Sequence, residues 1–358
     1  MHAPLPPEIL SRIVHFTPPG PDLAHLCLAS HALLAPAQAK LYHTIHLSEP
    51  HQTFSACTTL TAHPRLAALV SSLWVYIDPR RTQHRGALPR AYWDAVRGAL
   101  THASALRSLV LFDSVAQHTW VLAPPALPFQ LAEAKIKFLY DDNVARFLHS
   151  QKSLTQLHLV DHPEPLNQHA PMLPPNSLPE LREYEGPAYV AAQLANSPIT
   201  HMQACLSRPY DRQLPRLLSC IPNWPRLRAL NILNIPNGPT GEDFPSETTN
   251  LIATYAPHLH HLGAIPLPIM NRTPIHRALT RFPYLRVLEI DLQAWLPQPP
   301  EHLQRTLASE LRVYCPTLEV VAMWLPQQCR ADWHVDQETH EWSFCMWHGQ
   351  QETLWKMA

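Results

Sequence analysis

A short pattern, Pro-x-Leu-x-x-Leu-x-apolar, recurs along this chain and constrains its fold more than any other feature. Clear copies are Pro225-Arg-Leu227-Arg-Ala-Leu230-Asn-Ile232, Pro257-His-Leu259-His-His-Leu262, Pro283-Tyr-Leu285-Arg-Val-Leu288-Glu-Ile290 and Pro316-Thr-Leu318-Glu-Val-Val321-Ala-Met323. Degenerate copies begin at Leu106 and Leu154, and Pro179-Glu-Leu181 opens a weaker one. Apolar residues at helical spacing precede several copies. They are Tyr92, Val96, Ala99 and Ala103; Leu214, Leu217, Leu218 and Ile221; Ile275, Leu279 and Phe282; and Leu303, Leu307, Leu311 and Tyr314. Each unit therefore reads as a helix, a proline corner and a short strand. A single unit of this size cannot bury its own apolar face, so successive units must stack and share a continuous core.

The 39 prolines against 8 glycines fit this reading. At 46% hydrophobic residues the chain is too apolar to be disordered, so the prolines must punctuate an ordered structure. The pattern resembles the divergent leucine-rich repeats of fungal F-box proteins. That resemblance implies an α/β fold: a right-handed leucine-rich-repeat-like solenoid with stacked parallel strands and helices on the outer face. Repeat intervals run from 26 to 48 residues, and the long ones are expected to hide extra strands at 129–138 and 199–206. An ordinary α/β domain is the alternative reading of the same alternation. From Arg330 to Trp347 apolar and polar residues alternate around a polar turn, which predicts a β-hairpin with strands near 331–336 and 341–347. Trp324, Trp333, Trp342, Trp347 and Trp355 can cover the last core face, or alternatively form a ligand-stacking cluster.

The N-terminal segment differs in character. Pro6 and Pro7 suit a first helical turn, where backbone N–H groups are unpaired, and Glu8 suits its positive end. Ile9, Leu10, Ile13, Val14 and Phe16 then make one apolar stripe, and Pro18-Pro19-Gly20-Pro21 ends the helix. Asp22 is expected to cap a second helix with Leu23, Leu26 and Cys27, and Ser30 a third with Leu33, Leu34, Ala37 and Leu41. Three such helices enclose little core alone, so part of their apolar surface must meet something else. Helix spacing alone fits a cap on a larger domain equally well. The whole string is more specific: Leu5-Pro6-x-Glu8-Ile9-Leu10, Asp22-Leu23-x-x-Leu26-x-Leu28-x-Ser30 and Leu41-Tyr42-x-x-Ile45 resemble an F-box. That resemblance implies docking onto the Skp-type linker subunit, and through it the cullin, of a ubiquitin ligase. It assigns linker contact to Leu5, Pro6, Ile9, Leu10, Ile13, Leu23, Leu26 and Leu28.

Catalytic patterns are missing from the sequence. There is no G-x-S-x-G, no Walker loop, no G-x-G-x-x-G and no H-E-x-x-H. Asp141 and Asp142 fit a helix cap better than a paired-carboxylate site. His258, His260 and His261 form the densest group of the 24 histidines. As a strand, His258 and His260 share one face and His261 the other, which makes a poor zinc site and a surface strand the better reading. No catalytic residue, cofactor or metal is therefore expected. Seven cysteines without C-x-x-C spacing argue for a reducing compartment, cytoplasmic or nuclear. Neither a secretory signal nor a membrane span is legible. A formal net charge of −1 argues against a nucleic-acid partner.

The resulting expectation is an F-box-like helical domain over 1–47, a solenoid over 48–325 and a capping hairpin and tail over 326–358. Its implied role is recruiting an unknown protein substrate to the ligase, without catalysis. A repeat scaffold that has lost linker binding is the alternative, and a hydrolase on a repeat-like fold a remoter one. Substrate contact is expected at the outward x positions of the repeats: Arg228, Asn231, His260, Arg286, Glu289 and Glu319. The basic loop with Arg80, Arg81 and Arg85 would add a positive rim; a merely solvated surface is the bland reading of both.

Overall fold

The structure, a computed structural model, describes residues 6–77, 87–125, 127–160, 171–208, 210–236, 244–336, 338–339, 341–348 and 354–357. Its contacts divide the chain into two compact units, Met1–Leu154 and Thr155–Ala358.

The first unit opens with three helices, α1 (Pro7–Phe16), α2 (Pro21–Ala29) and α3 (His31–His43). Pro7 takes the first turn of α1 as expected. Helix α2 starts two positions earlier than the sequence suggested. Pro21 occupies its first turn, Gly20 is the N-cap, and Asp22 lies inside the helix instead of capping it. The Ser30 side chain caps α3 by accepting from Leu33 N at 3.2 Å. Val14, Leu23, Leu33 and Ala37 form the core between the helices, flanked by Leu10, Leu26, Cys27 and Leu41. Lys40 of α3 closes the end of α1. Its Nζ donates to the carbonyls of Val14, His15 and Thr17 at 3.0, 2.7 and 2.7 Å, at the end where a helix's last carbonyls run short of intrahelical donors.

The chain then enters a sheet earlier than expected. Thr44–Leu47 is strand β1, within the segment assigned to the helical domain, because Thr44 and Ile45 are β-branched and pair with the next strand. Helices α4 (Pro50–Ala62) and α5 (Pro64–Ala67) lead to β2 (Ser72–Val75); α6 (Arg90–His102) leads to β3 (Ser108–Phe112). Then come β4 (Glu133–Lys137), one of the two expected hidden strands, and α7 (Asp142–Ser150). Strands β1 to β4 are parallel neighbours in sequence order. Leu73, Leu109 and Ala134 lie in register and are buried, as are Tyr92, Trp93, Val96 and Leu100 of α6.

The second unit continues the scheme with β5 (Gln156–Leu159), β6 (Glu183–Pro187), α8 (Ala188–Ala191), β7 (His201–Cys205) and α9 (Tyr210–Cys220). Strand β7 is the other hidden strand. Next come β8 (Ala229–Leu233), α10 (Phe244–Tyr255), β9 (His261–Pro266), α11 (Thr273–Leu279), β10 (Val287–Asp291), α12 (Glu301–Tyr314) and β11 (Val320–Leu325). Strands β5 to β11 are all parallel, each paired with the next. The second leucine of each repeat marks one buried row: Leu157, Tyr184, Met202, Leu230, Leu262, Leu288 and Val321 lie in register. The first leucine lies two residues before its strand and is buried too, so the pattern specifies corner and strand together. Two antiparallel strands, β12 (Cys329–Val335) and β13 (Trp342–His348), finish the sheet as the predicted hairpin.

Candidate functional site

Three places carry the residues singled out in the sequence. The first is the helical surface of the first unit. Ile9, Ile13, Phe16 and Leu28 are 41%, 39%, 73% and 85% exposed, four large apolar side chains on two short helices. Pro6 is exposed beside them, while Leu10 and Leu26 are half-buried against the helical core. Leu23 does not belong to this surface. It is 0% exposed and packs with Val14, Leu33 and Ala37, because the three helices need one residue of α2 to close their own core. Leu5 lies outside the described residues.

The second place is the edge of the sheet where the strands begin. Arg228 N donates to Thr200 O, His260 N to Arg228 O, Arg286 N to His260 O and Glu319 N to Arg286 O, at 2.7–2.8 Å. The parallel ladder thus sets these x residues side by side, roughly 5 Å apart. Arg228 and Arg286 are exposed, His260 and Glu319 half-exposed, and Arg286 Nε lies 3.8 Å from Glu319. A cavity of about 380 Å³ opens here, lined by His260, Tyr284, Arg286, Arg312, Thr317 and Glu319 among others. Partial burial holds the His260 pKa below its ordinary value, and the charges of Arg228, Arg286 and His258 push the same way. This edge is cationic and suits a carboxylate or another anionic group of a partner. Arg80, Arg81 and Arg85, expected to add to it, lie outside the described residues.

The third place was expected to be the same surface and is not. Asn231 and Glu289 are each 2% exposed. His261, assigned to a surface strand, is completely buried. Asn231 and Glu289 belong to a polar row on the sheet face opposite the leucine row. Gln203 Nε2 donates to Glu185 Oε1 at 3.3 Å and Asn231 Nδ2 to Gln203 Oε1 at 2.8 Å. Beyond them His261 Nε2 lies 3.0 Å from Glu289 Oε1, and Trp324 Nε1 donates to Glu289 Oε2 at 2.7 Å. Gly263 makes room for this: a Cβ there would lie 2.8 Å from His261 Nε2 and 2.9 Å from Asn231 Oδ1. The Arg330 guanidinium stacks over Trp324 and grips Asp332 with two bonds of 2.8 and 2.9 Å. Burial alone would raise the Glu289 pKa. His261, Trp324 Nε1 and the Arg330 charge outweigh it and hold the carboxyl below its ordinary value.

Two segments bury this row. The Trp324 side chain, with Arg330 of β12 stacked on its ring, covers the Glu289 end. Over the other end, a turn at Leu354–Lys356 packs against β7, β8 and β9. Trp355 is 1% exposed there, and Lys356 Nζ lies 3.2 Å from Glu185 Oε2. Trp355 therefore does not close the last core face with the other tryptophans; it lies over the middle strands of its unit. The sequence does not single out Glu185, Gln203 or Lys356. One signal was present: His158, Glu185, Gln203, Asn231, Gly263 and Glu289 all stand four residues after the first apolar residue of their repeats.

Other chemistry-bearing groups serve structure. Buried Asp113 accepts from the backbone N–H of Val115, Gln117 and His118 at 2.8–3.1 Å, with His118 Nδ1 at 2.8 Å. Asp141 caps α7 through Asn143 N and Val144 N, as expected. All seven cysteines are free, and burial pushes the Cys57 thiol up to about 12. Among the described residues no group of three or more acidic, His or Cys side chains forms a metal site, and no helix is long and apolar enough to cross a membrane. The chain matches no protein-family model, and comparison with curated proteins finds no match.

Proposed function

We propose that this chain is a substrate-recruiting adaptor of a cullin–RING ubiquitin ligase, acting by protein binding alone in the cytoplasm or nucleus. In this reading α1 to α3 form an F-box-like module, and the strands that follow form a leucine-rich-repeat-like solenoid. The observation that carries it is the exposed set Ile9, Ile13, Phe16 and Leu28 on a three-helix unit whose own core is already filled. Large apolar side chains exposed together on one small unit suit a surface that a partner covers. Its placement on the N-terminal string Leu5-Pro6-x-Glu8-Ile9-Leu10 is where an F-box would meet the linker subunit. The cationic strand edge at Arg228, His260 and Arg286, remote in sequence, offers a separate surface for a substrate.

The test replaces Ile9 and Ile13 together with aspartate and measures co-purification of the Skp-type linker subunit. Both side chains are exposed, so folding should survive, as checked by thermal unfolding. Loss of the linker from a folded variant is the expected result. Retention of the linker overturns the proposal. If the wild-type chain itself brings down no linker, the chain is a repeat scaffold.

A further inference from the structure

We propose that the sheet face across β6 to β9 is a peptide-binding site, held in this structure by the chain's own Leu354–Lys356 turn. The ligand it fits is a peptide carrying an aromatic residue followed directly by lysine or arginine. This goes beyond the adaptor reading and stands or falls without it, because every residue involved belongs to the second unit.

The composition of the face is the first reason. A sheet face covered by the chain itself is more commonly lined by apolar side chains, as the leucine row on its other side is. Here the covered positions are Glu185, Gln203, Asn231 and the gap at Gly263, with His261 behind it. A polar row of this kind suits a surface that exchanges water for a ligand's donors and acceptors.

The second reason is the way the resident turn is held. One indole and one ammonium make the attachment: Trp355 packs on β7, β8 and β9, and Lys356 pairs with Glu185. An aromatic anchor beside a charge-assisted contact is how short peptides are commonly recognised. The face therefore selects a flat apolar ring and, one residue on, a cation within reach of Glu185.

The third reason is that the resident fits imperfectly. Among the described residues, Asn231 Oδ1 and Trp355 Nε1 are both buried without a hydrogen-bond partner. Buried polar atoms left bare on both the face and the resident turn are a mismatch that a better-shaped ligand relieves. A resident held this way is displaceable, which a structural plug need not be.

The experiment uses the full chain and a labelled peptide, Leu-Trp-Lys-Met, matching 354–357, with Leu-Trp-Glu-Met as control. A tethered segment competes at high effective concentration, so Trp355→Ala is expected to bind the peptide about tenfold more tightly than wild type. Adding Glu185→Gln to that variant should weaken binding about threefold or more, the scale of a part-exposed ion pair. The glutamate control should bind less well than the lysine peptide. Lys356→Glu, which keeps the indole in place, is the second variant in case Trp355→Ala does not fold, and it should also raise affinity above wild type. Failure of every folded variant to gain affinity overturns the proposal, as does equal binding of the lysine and glutamate peptides. Concentration-dependent dimers of the wild type that Trp355→Ala abolishes overturn it in favour of a second copy as the occupant.

Discussion

Glu289 shows how a single residue can be read correctly as polar and wrongly as exposed. It sits at an x position of a clear repeat, where alternation sends it away from the leucine row. It does point that way, but it is buried against Trp324, and it survives burial only because His261, Trp324 and Arg330 compensate its charge. A carboxyl with a lowered pKa binds its proton more weakly in the folded chain than in the unfolded one. Its stabilising effect is complete above the ordinary value of 4.5 and is lost as the pH falls through the lower folded value. Glu289→Gln keeps the shape and removes the charge, leaving His261 without its anionic partner. Urea unfolding should place this variant about 1–3 kcal/mol below wild type at pH 7. The gap should narrow toward pH 3. A gap that stays constant or widens there would show that Glu289 is not the group whose charge matters.

At the scale of elements, the N-terminal helices illustrate what holds a small unit together. Helix α1 places one residue, Val14, fully in the core, so packing alone holds it weakly. Lys40 offsets this by capping three carbonyls at its end, with its positive charge at the negative pole of the helix. Lys40→Met retains most of the aliphatic stem and removes the donors. It should cost about 1–2 kcal/mol. Hydrogen exchange should speed up in 7–16 well before the strands are affected. Uniform protection across the chain would instead mean that α1 is secured by packing alone. The Asp22 and Gly20 exchange of roles belongs to this scale as well. Proline at the first helical position decided the start of α2, overriding the better capping side chain one residue later.

At the scale of the molecule, the helical surface and the strand edge are far apart in sequence, and the proposed function assigns them different partners. Arg228→Glu with Arg286→Glu reverses the charge of the strand edge at two exposed positions. Substrate capture, measured in cells with proteasome activity blocked, should fall while linker co-purification persists. If capture survives both reversals, the Arg228, His260 and Arg286 edge is not the recognition surface. The contact division at Leu154 and Thr155 falls inside the segment read from the sequence as one solenoid, while β1 extends the sheet into the segment read as helical.

Local chemistry was legible without a structure. Proline corners, leucine spacing and helical periodicity located the repeat strands, the two hidden ones included, because each depends on residues close together in the chain. Ser30, Asp141 and the hairpin were legible for the same reason. What remained hidden was which polar side chains meet water. Alternation says that Asn231, His261 and Glu289 differ in face from their leucine neighbours, but cannot say whether that face is open. For Asn231 that answer depends on Trp355 and Lys356, more than a hundred residues away along the sequence, coming to rest on β7 to β9, and for Glu289 on Trp324. Burial is a property of everything packed nearby, and only the tertiary structure decided it.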